Sequence, residues 1–291
     1  MNILIFGAGG MLGHKLVQQL SPKANVWGTL RGEYAEFERF GILEEERCIT
    51  DLDVRDLSSV KGAIETARPD VVLNAVGVVK QLPAAQDVIT TLTINSIFPH
   101  QLGQLIDEYG FRLITLSTDC VFSGSKGNYV EADPPDALDL YGRSKNFGEV
   151  ERSGALTLRS SIIGRELSTA HSLVEWFLSN QGSKVKGFRN AIFSGFPTAV
   201  LSNIISDLIF EHRDLSGLYH ASSEPINKYD LLVLLREHFG ADIEIEPSDD
   251  VRIDRSLDST RFRSATGFSP AGWPEMIEQM VSDPTPYQTW K

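Results

Sequence analysis

Hydrophobic and polar positions alternate in blocks along the first half of the chain. Short aliphatic runs such as "NILIF" and "DVVLNAV" are each followed by a longer segment of mixed polarity with an amphipathic pattern. The short runs predict strands and the longer segments predict helices. Strands that alternate with helices indicate βαβ units, and therefore a parallel sheet with helices on both faces. The pattern predicts an α/β fold with a doubly wound parallel sheet of the Rossmann type.

The alternation weakens beyond about Gly164. Turns that contain proline and glycine become frequent there, as in "SGFPT", "SSEPINKYD" and "GFSPAGWPE". We expect residues 1–164 to form the sheet domain and residues 165–291 to form a smaller lobe. The segment "GLYHASS" is typical of a strand that returns to the main sheet, so the two parts should be interleaved.

Composition narrows the class of protein. The 291 residues are enough for a large core, and the formal net charge of −12 argues against a nucleic-acid partner. Cys48 and Cys120 form no C-x-x-C motif or disulfide framework, which fits a reducing cytosol. The stretch "MNILIFGAGG" lacks a basic flank and soon reaches glycines. We therefore expect a cytoplasmic protein without a membrane segment, and the six histidines show no spacing that predicts a catalytic metal.

A glycine loop follows the first predicted strand. Gly7, Gly10 and Gly13 have the spacing G-x-x-G-x-x-G at the start of a helix. In this context the first glycine permits a tight turn, the second lets backbone amides approach a pyrophosphate, and the third allows close packing of helix on strand. The alternative is a glycine-rich turn without a ligand. The position after a strand favours dinucleotide binding.

The end of the second strand bears on the choice of dinucleotide. Proteins that bind NAD place an acidic residue there, whereas "VWGTLRGE" offers Arg31 before Glu33. An arginine suits the 2′-phosphate of NADP. We therefore favour NADP, with NAD left possible if Glu33 contacts the ribose. Asp53 after the third strand is a candidate acceptor for the adenine amine, although a solvated acidic loop is nearly as plausible.

Two further stretches carry chemical groups. The strand in "LITLSTDCVFSG" ends in Ser117, Thr118 and Asp119, at the end of a sheet where such folds bind ligands. In "DLYGRSKNFGEV", Tyr141 and Lys145 lie four residues apart and share one helix face. Taken alone, the first stretch is also typical of a capping turn, and the second of a solvated helix surface.

Together these motifs resemble those of the extended short-chain dehydrogenases/reductases, within them the dTDP-4-dehydrorhamnose reductase group. The resemblance rests on "GAGGMLG", "RPDVVLNAVG", "STDCVFSGSKGNYVEADPPDALDLYGRSK" and "LTLRSSIIG", and covers nearly the whole chain. It implies a Rossmann-type domain with a smaller substrate-binding lobe. It also implies an NADPH-dependent reduction of a nucleotide-linked 4-keto-6-deoxy sugar for surface polysaccharide synthesis. The same resemblance implies a homodimer.

The resemblance also implies roles for individual residues. Tyr141 would be the proton donor, Lys145 would lower the phenol pKa and hold the nicotinamide ribose, and Thr118 would bind the substrate carbonyl. Asn95 would support the site, although a buried asparagine that satisfies backbone groups is the simpler interpretation. The expected cofactor contacts are Gly7, Gly10, Met11, Leu12, Gly13, Arg31, Asp53, Val54, Ala75, Val76, Gly77, Asn95, Ser117, Tyr141 and Lys145.

The substrate side departs from the group. Ile162 stands where many members carry a tryptophan over the sugar, and Cys120 stands where an aromatic residue is common. The particular hexose is therefore open. The candidate substrate contacts are Asp119, Val121, Ile162, Arg189 and Arg261, the arginines because a guanidinium suits a diphosphate.

Two other functions remain open at this point. One is a nucleotide-sugar epimerase or dehydratase on the same scaffold. The other is a non-catalytic regulatory subunit that binds NADP, like the β subunit of methionine adenosyltransferase, since fold alone does not fix function. The set of Thr118, Tyr141 and Lys145 favours an enzyme.

Overall fold

A computed structural model describes residues 1–79 and 86–290 of the chain. The strands are β1 (Asn2–Phe6), β2 (Asn25–Thr29), β3 (Cys48–Ile49), β4 (Val71–Asn74), β5 (Arg112–Ser117), β6 (Ala155–Arg159), β7 (Ile162–Ile163), β8 (Lys184–Phe193), β9 (Phe196–Pro197), β10 (Gly217–His220), β11 (Ile226–Asn227) and β12 (Glu244–Asp254). The helices are α1 (Gly13–Leu20), α2 (Tyr34–Glu38), α3 (Leu57–Ala67), α4 (Val88–Leu92), α5 (Phe98–Tyr109), α6 (Leu140–Phe147), α7 (Leu173–Leu178), α8 (Thr198–Phe210), α9 (Lys228–Phe239), α10 (Thr260–Thr266) and α11 (Trp273–Val281).

The main sheet has the strand order β10-β6-β5-β4-β1-β2-β3. Every neighbouring pair in it is parallel. The chain runs from β1 outward to β3 and then crosses to β4 on the other side of β1. The strand order reverses between β1 and β4, and ligands of such sheets bind outside the carboxyl ends of the strands at this reversal. The predicted doubly wound parallel sheet is confirmed.

Alternating residues of β1 pack into two separate apolar layers. Ile3 and Ile5 belong to the larger core, which includes residues of α1, α8, α9 and α11. Leu4 and Phe6 belong to the second core, which includes residues of α3 and α5. Because successive side chains of a strand point to opposite faces, the central strands need apolar residues at every position. The continuous run "NILIF" meets that need.

The C-terminal half adds smaller sheets and one strand of the main sheet. β8 pairs with β11 and β12, and β7 pairs with β9. β10, within the predicted returning segment "GLYHASS", lies beside β6 at the edge of the main sheet. One apolar core continues from α1 into α8 and α9. The division at residue 164 stays a prediction.

The helix α6 packs very closely on its neighbours. A Cβ atom on Gly142 would lie 2.2 Å from the carbonyl oxygen of Cys120, and one on Gly148 would lie 1.9 Å from that of Asn95. Asn95 lies in a π-helical turn, Thr93–Ile97, between α4 and α5. The sequence pattern predicted a single helix through this region and missed that turn. Glycine at both positions of the α6 segment lets it approach the chain this closely.

No helix in the described residues is long and apolar enough to cross a membrane.

We predict that Gly148→Ala lowers the free energy of unfolding by about 1–3 kcal/mol, because the added methyl group would overlap the Asn95 carbonyl. Gly62→Ala is the matched control, since Gly62 lies within α3 and its Cβ would meet no atom within 4 Å. There the same substitution should stabilise the protein by about 0.5–1 kcal/mol through helix propensity. Denaturant unfolding of both variants measures the difference. Equal effects at the two positions would contradict the close docking of α6.

Candidate active site

The glycine loop lies between the end of β1 and α1. Gly7 has a φ of +85°, which favours glycine, and its carbonyl oxygen accepts a hydrogen bond from the Gly10 amide at 3.0 Å. A Cβ atom on Gly13 would lie 2.0 Å from the Gly7 carbonyl oxygen, so the start of α1 needs glycine there. The loop therefore has the geometry that the sequence motif predicts. Met11 is partly exposed beside it, whereas Leu12 is 5% exposed and belongs to the core.

A cavity of about 960 Å³ opens beside this loop, beyond the end of β2. Its lining includes Gly9 from the glycine loop, together with Arg31 and Arg39 from the segment after β2. Leu167 and Thr169 line it from the segment after β7. Two exposed arginines thus line a cavity next to a glycine loop of the type that binds phosphates. Arg31 lines this cavity, and its contact with a 2′-phosphate stays a prediction. Arg39 was missed because no sequence motif marks it.

The third and fourth strands end nearby. The Asp53 carboxylate is exposed and forms a bidentate ion pair with Arg55, with distances of 2.9 and 2.6 Å, which lowers the pKa of Asp53. Val54 is buried in the second core. Ala75, Val76 and Gly77 follow β4 at the strand reversal, and the Asn74 side chain accepts the Val76 amide at 3.1 Å. Contact of Asp53 with adenine stays a prediction, because Arg55 holds its carboxylate here.

Asn95 links the β4 loop to α6. Its side-chain oxygen accepts the Val78 amide at 2.9 Å, and its amide nitrogen donates to the Val78 carbonyl and the Ser144 hydroxyl, each at 3.1 Å. The side chain is 1% exposed. These bonds fit the simpler of the two interpretations, a structural asparagine that satisfies backbone groups.

Ser117 at the end of β5 takes part in a buried ionic network. Its hydroxyl donates to Glu149 at 2.6 Å, and the guanidinium of Arg159 donates to both oxygens of the same carboxylate at 2.7 and 2.8 Å. His220 lies 3.2 Å from that guanidinium. The Ser117 hydroxyl therefore serves the network that anchors the end of α6, and its contact with a cofactor stays a prediction.

Thr118 and Tyr141 meet just beyond β5. The Thr118 hydroxyl donates to Asp119 at 3.1 Å and accepts the Cys120 amide at 3.1 Å. Tyr141 is half-buried near the start of α6, which Asp139 caps by accepting the Gly142 amide at 2.9 Å. Burial raises the pKa of Tyr141 above its ordinary value, and nearby Thr118 opposes the rise. The phenol is therefore strongly held in its protonated form.

Lys145 lies one turn beyond Tyr141 on the same helix. Its ammonium donates to the Leu116 carbonyl oxygen at 2.6 Å, and burial lowers the pKa of Lys145 to about 8 while Glu149 acts to raise it. Burial is the largest influence on the pKa of Tyr141 and raises it, so a lowering of that pKa by Lys145 stays a prediction. Both residues lie on α6 near the carboxyl end of β5, and their catalytic roles stay predictions.

The predicted substrate contacts are spread more widely. Asp119 is 4% exposed beside Thr118, and Ile162 is partly exposed on β7. Val121 is fully buried in a small cluster with Phe122 and Tyr129, so its side chain is not available to a ligand. Sequence position alone could not show this, because the cluster is closed by Leu257 from the distant C-terminal half.

The two predicted arginines are engaged elsewhere. Arg189 is exposed on β8 and forms a bidentate ion pair with Asp249. The guanidinium of Arg261 lies 4.4 Å from the centre of the Tyr219 ring and donates to the Leu218 carbonyl at 3.0 Å. Neither side chain contacts Thr118 or Tyr141. A diphosphate contact at these residues stays a prediction and would require these partners to be replaced.

Two other cations lie nearer the site. Lys228 begins α9, its ammonium lies 3.7 Å from the centre of the Phe193 ring, and burial lowers the pKa of Lys228 to about 8 while Asp119 acts to raise it. Arg255 donates to the Phe122 carbonyl at 2.8 Å and is close enough to influence Cys120. Sequence reasoning missed Lys228 because "NKYD" carries no recognisable motif; only the fold brings it to Asp119.

Cys120 is a packed thiol. Burial and the neighbouring Asp119 raise the pKa of Cys120 to about 12, so the thiolate is strongly disfavoured. In the part of the chain that the structure describes, no group of three or more histidine, cysteine, aspartate or glutamate residues is placed to hold a metal ion.

A family model described as "RmlD substrate binding domain" matches residues 1–285. The chain belongs to this RmlD family. The family predicted from the sequence motifs is therefore confirmed, because the RmlD match spans the glycine loop and both chemical motifs.

Individual relatives of this chain support the family assignment. A dTDP-4-dehydrorhamnose reductase of Aggregatibacter actinomycetemcomitans is 25% identical over 96% of this chain and 98% of its own. A protein of Danio rerio named methionine adenosyltransferase 2 subunit beta is 27% identical over 82% of this chain and 74% of its own. The fold matches the structure of dTDP-4-dehydrorhamnose reductase from Bacillus anthracis in complex with NADP, with a TM-score of 0.79, 20% identity, and coverage of 96% and 97% of the two chains.

We predict that the stability of the protein depends on the titration of Lys145. Its pKa is about 8 in the folded protein and about 10.4 in an unfolded chain, so the unfolded state binds more protons between these values. The free energy of unfolding should therefore rise with pH from about 8 to about 10, relative to that of Lys145→Met. Urea unfolding at pH 7.5 and pH 9.5 measures the change. Parallel pH profiles of the two proteins would show that Lys145 is not shifted.

Proposed function

We propose that this chain is an NADPH-dependent reductase of a nucleotide-linked 4-keto-6-deoxy sugar, with Tyr141 as the proton donor. One observation carries the proposal. Thr118, Tyr141 and Lys145 converge at the carboxyl end of β5, on the same edge of the sheet as the glycine loop. The names of relatives that align over nearly the whole chain support the substrate class and its use in surface polysaccharide synthesis.

The residues present fit a dinucleotide. The glycine loop has the backbone form that admits a pyrophosphate, and the adjacent cavity of about 960 Å³ carries Arg31 at its rim. When bound, NADPH would supply the hydride. Gly7 and Gly10 would let backbone amides approach the pyrophosphate, Arg31 would pair with the 2′-phosphate, and Lys145 would donate to a ribose hydroxyl.

The proton chemistry falls to Tyr141 and Thr118. The protonated phenol would donate to the carbonyl oxygen of the sugar as negative charge develops there, and Thr118 would orient that oxygen by a hydrogen bond. Burial raises the pKa of Tyr141, so the proton is present on the phenol at neutral pH. Buried Lys145 would then stabilise the phenolate that remains after the transfer, because an opposite charge nearby favours the ionised form.

A regulatory subunit is the second candidate. The similarity to the Danio rerio protein named methionine adenosyltransferase 2 subunit beta is the observation in its favour. Such a protein would bind NADPH and reduce no sugar. A redox-neutral epimerase would keep its dinucleotide bound and regenerate it during each turnover. Consumption of NADPH that depends on a keto sugar separates the reductase from both.

We further propose that the chain acts in the cytoplasm, and its two free cysteines support this because a reducing compartment keeps thiols unpaired. A homodimer is also proposed, from the family resemblance, and light scattering of the purified protein tests it.

We predict that Tyr141→Phe lowers kcat about 100- to 10,000-fold, the contribution expected of a general acid, while NADPH binds with unchanged affinity. The assay follows NADPH oxidation against dTDP-, GDP- and UDP-linked 4-keto-6-deoxy sugars. Tyr109→Phe is the control, because that phenol donates to Glu65 on the exposed surface of another helix. Binding of NADPH by the wild-type protein without oxidation by any sugar would refute the reductase and favour the regulatory role.

We predict that Arg31→Ala raises the KM for NADPH about 10- to 100-fold and leaves that for NADH unchanged, because only NADPH carries the phosphate that the guanidinium would pair with. Steady-state kinetics with each dinucleotide measures the two values. Arg47→Ala is the control, since that guanidinium lies 5.1 Å from the centre of the Trp27 ring, away from the cavity. An equal loss with both dinucleotides would remove Arg31 from the choice between them.

A further inference from the structure

The chain beyond α11 packs against the dinucleotide domain; we call residues 283–290 the C-terminal clasp. Asp283 forms an ion pair of 2.5 Å with Lys15 of α1, and both side chains are less than one-tenth exposed. The hydroxyl of Thr285 receives a hydrogen bond from the same ammonium at 3.2 Å. Tyr287 and Trp290 follow, and they lie beyond the segment that matches the family. The clasp is thus anchored on the helix that the glycine loop begins.

Tyr287 reaches the glycine loop through a histidine. The ring nitrogen Nδ1 of His14 lies 2.8 Å from the Gly10 carbonyl oxygen, and Nε2 lies 2.6 Å from the Tyr287 hydroxyl. A carbonyl oxygen only accepts, so Nδ1 carries the proton and Nε2 accepts from the phenol. His14 is fully buried, and burial lowers the pKa of His14 to about 4, which agrees with a neutral ring. The clasp therefore fixes the position of the Gly10 carbonyl within the glycine loop.

Trp290 contacts Phe40, a residue that lines the cavity from the segment after β2. Its ring lies edge-to-face on Phe40, with 5.0 Å between centroids and an interplanar angle of 80°. Phe40 lines the cavity together with Arg31 and packs against Phe37, which also lines it. The ring centroids of Tyr287 and Trp290 are 6.0 Å apart and the rings meet edge-to-face, so the two aromatic side chains of the clasp pack against each other.

A third contact of the clasp involves the segment after β7, which also lines the cavity. The guanidinium of Arg165 lies 4.9 Å from the centre of the Tyr287 ring and donates to Glu175 at 2.6 Å. Arg165 is two residues before Leu167, which lines the same cavity as Phe40. The Tyr287 ring is 4% exposed and contacts His14, Arg165 and Trp290, each of which lies next to a different segment that lines the cavity.

We propose that the C-terminal clasp holds the walls of the dinucleotide cavity in place, with Tyr287 and Trp290 as positioning residues for the adenosine half of the cofactor. The proposal rests on the proposed dinucleotide function. A cavity whose walls are fixed before binding loses less side-chain and loop freedom when the ligand enters, and this saving appears as affinity. The clasp touches none of the catalytic groups, so its effect should be confined to the dinucleotide.

The test measures binding of NADPH by fluorescence titration to four variants and the wild-type protein. Tyr287→Phe removes only the hydroxyl, and we expect the Kd for NADPH to rise about 3- to 10-fold, the effect of one hydrogen bond. Trp290→Ala should raise it about 10-fold, whereas Trp290→Phe should restore most of the affinity because it keeps an aromatic edge at Phe40. Leu105→Ala is the control; it removes core packing from the second apolar layer and should lower stability without changing the Kd.

Kinetics and amide exchange complete the test. In the clasp variants the KM for NADPH should rise with the Kd, while kcat and the KM for the sugar stay unchanged, and hydrogen exchange of residues 31–40 should accelerate in Trp290→Ala. If Tyr287→Phe and Trp290→Ala bind NADPH as the wild-type protein does, whether or not they lose stability, the clasp is structural only and the proposal is wrong. Wild-type protein that binds NADPH without reducing a sugar overturns the reductase alone, because the binding and exchange measurements still decide the clasp.

Discussion

The close docking of α6 on the chain around it is the constraint on which the site depends. Gly142 and Gly148 leave no room for a side chain against the carbonyls of Cys120 and Asn95. The hydroxyl of Ser144 then accepts a hydrogen bond from the side-chain amide of Asn95. The Lys145 ammonium donates a hydrogen bond of 2.6 Å to the Leu116 carbonyl oxygen. These contacts tie one short helix to both β5 and the π-helical turn before α5. A displacement of α6 would therefore move the phenol and the ammonium together, away from the strand end that carries Thr118.

Burial at this place has an electrostatic consequence. It raises the pKa of Tyr141 and lowers that of Lys145, so the protein by itself disfavours the charged form of each. A phenol that resists ionisation keeps its proton until a stronger base is presented, and the developing alkoxide of a reduced carbonyl is such a base. Glu149 limits the shift of Lys145 and is itself held by Arg159 and Ser117. The ionic network behind α6 thus influences the pKa of Lys145, although its members are not catalytic residues.

Local patterns predicted the sheet and the central chemistry because both depend on contacts within short stretches. The run "NILIF" fixes a strand buried on two faces, the spacing of Gly7, Gly10 and Gly13 fixes the loop, and a separation of four residues puts Tyr141 and Lys145 on one helix face. The substrate side was harder, because it is built by contacts between distant segments. Leu257 helps to bury Val121, and the fold brings Lys228 near Asp119 across more than a hundred residues. No local spacing carries that information.

The same distinction explains why the main sheet and the C-terminal helices form one structure. Their shared core runs from α1 into α8 and α9, and the clasp adds polar contacts to the same helix. An apolar core resists separation of the elements that share it but tolerates small shifts of one surface on another, whereas a hydrogen bond such as that between Tyr287 and His14 fixes position and direction. The core therefore accounts for cohesion, and the buried polar contacts account for the shape of the cavity. A ligand that binds in this cavity needs both the apolar core and the polar contacts. Its affinity depends on cavity walls that are close together and already in place before binding.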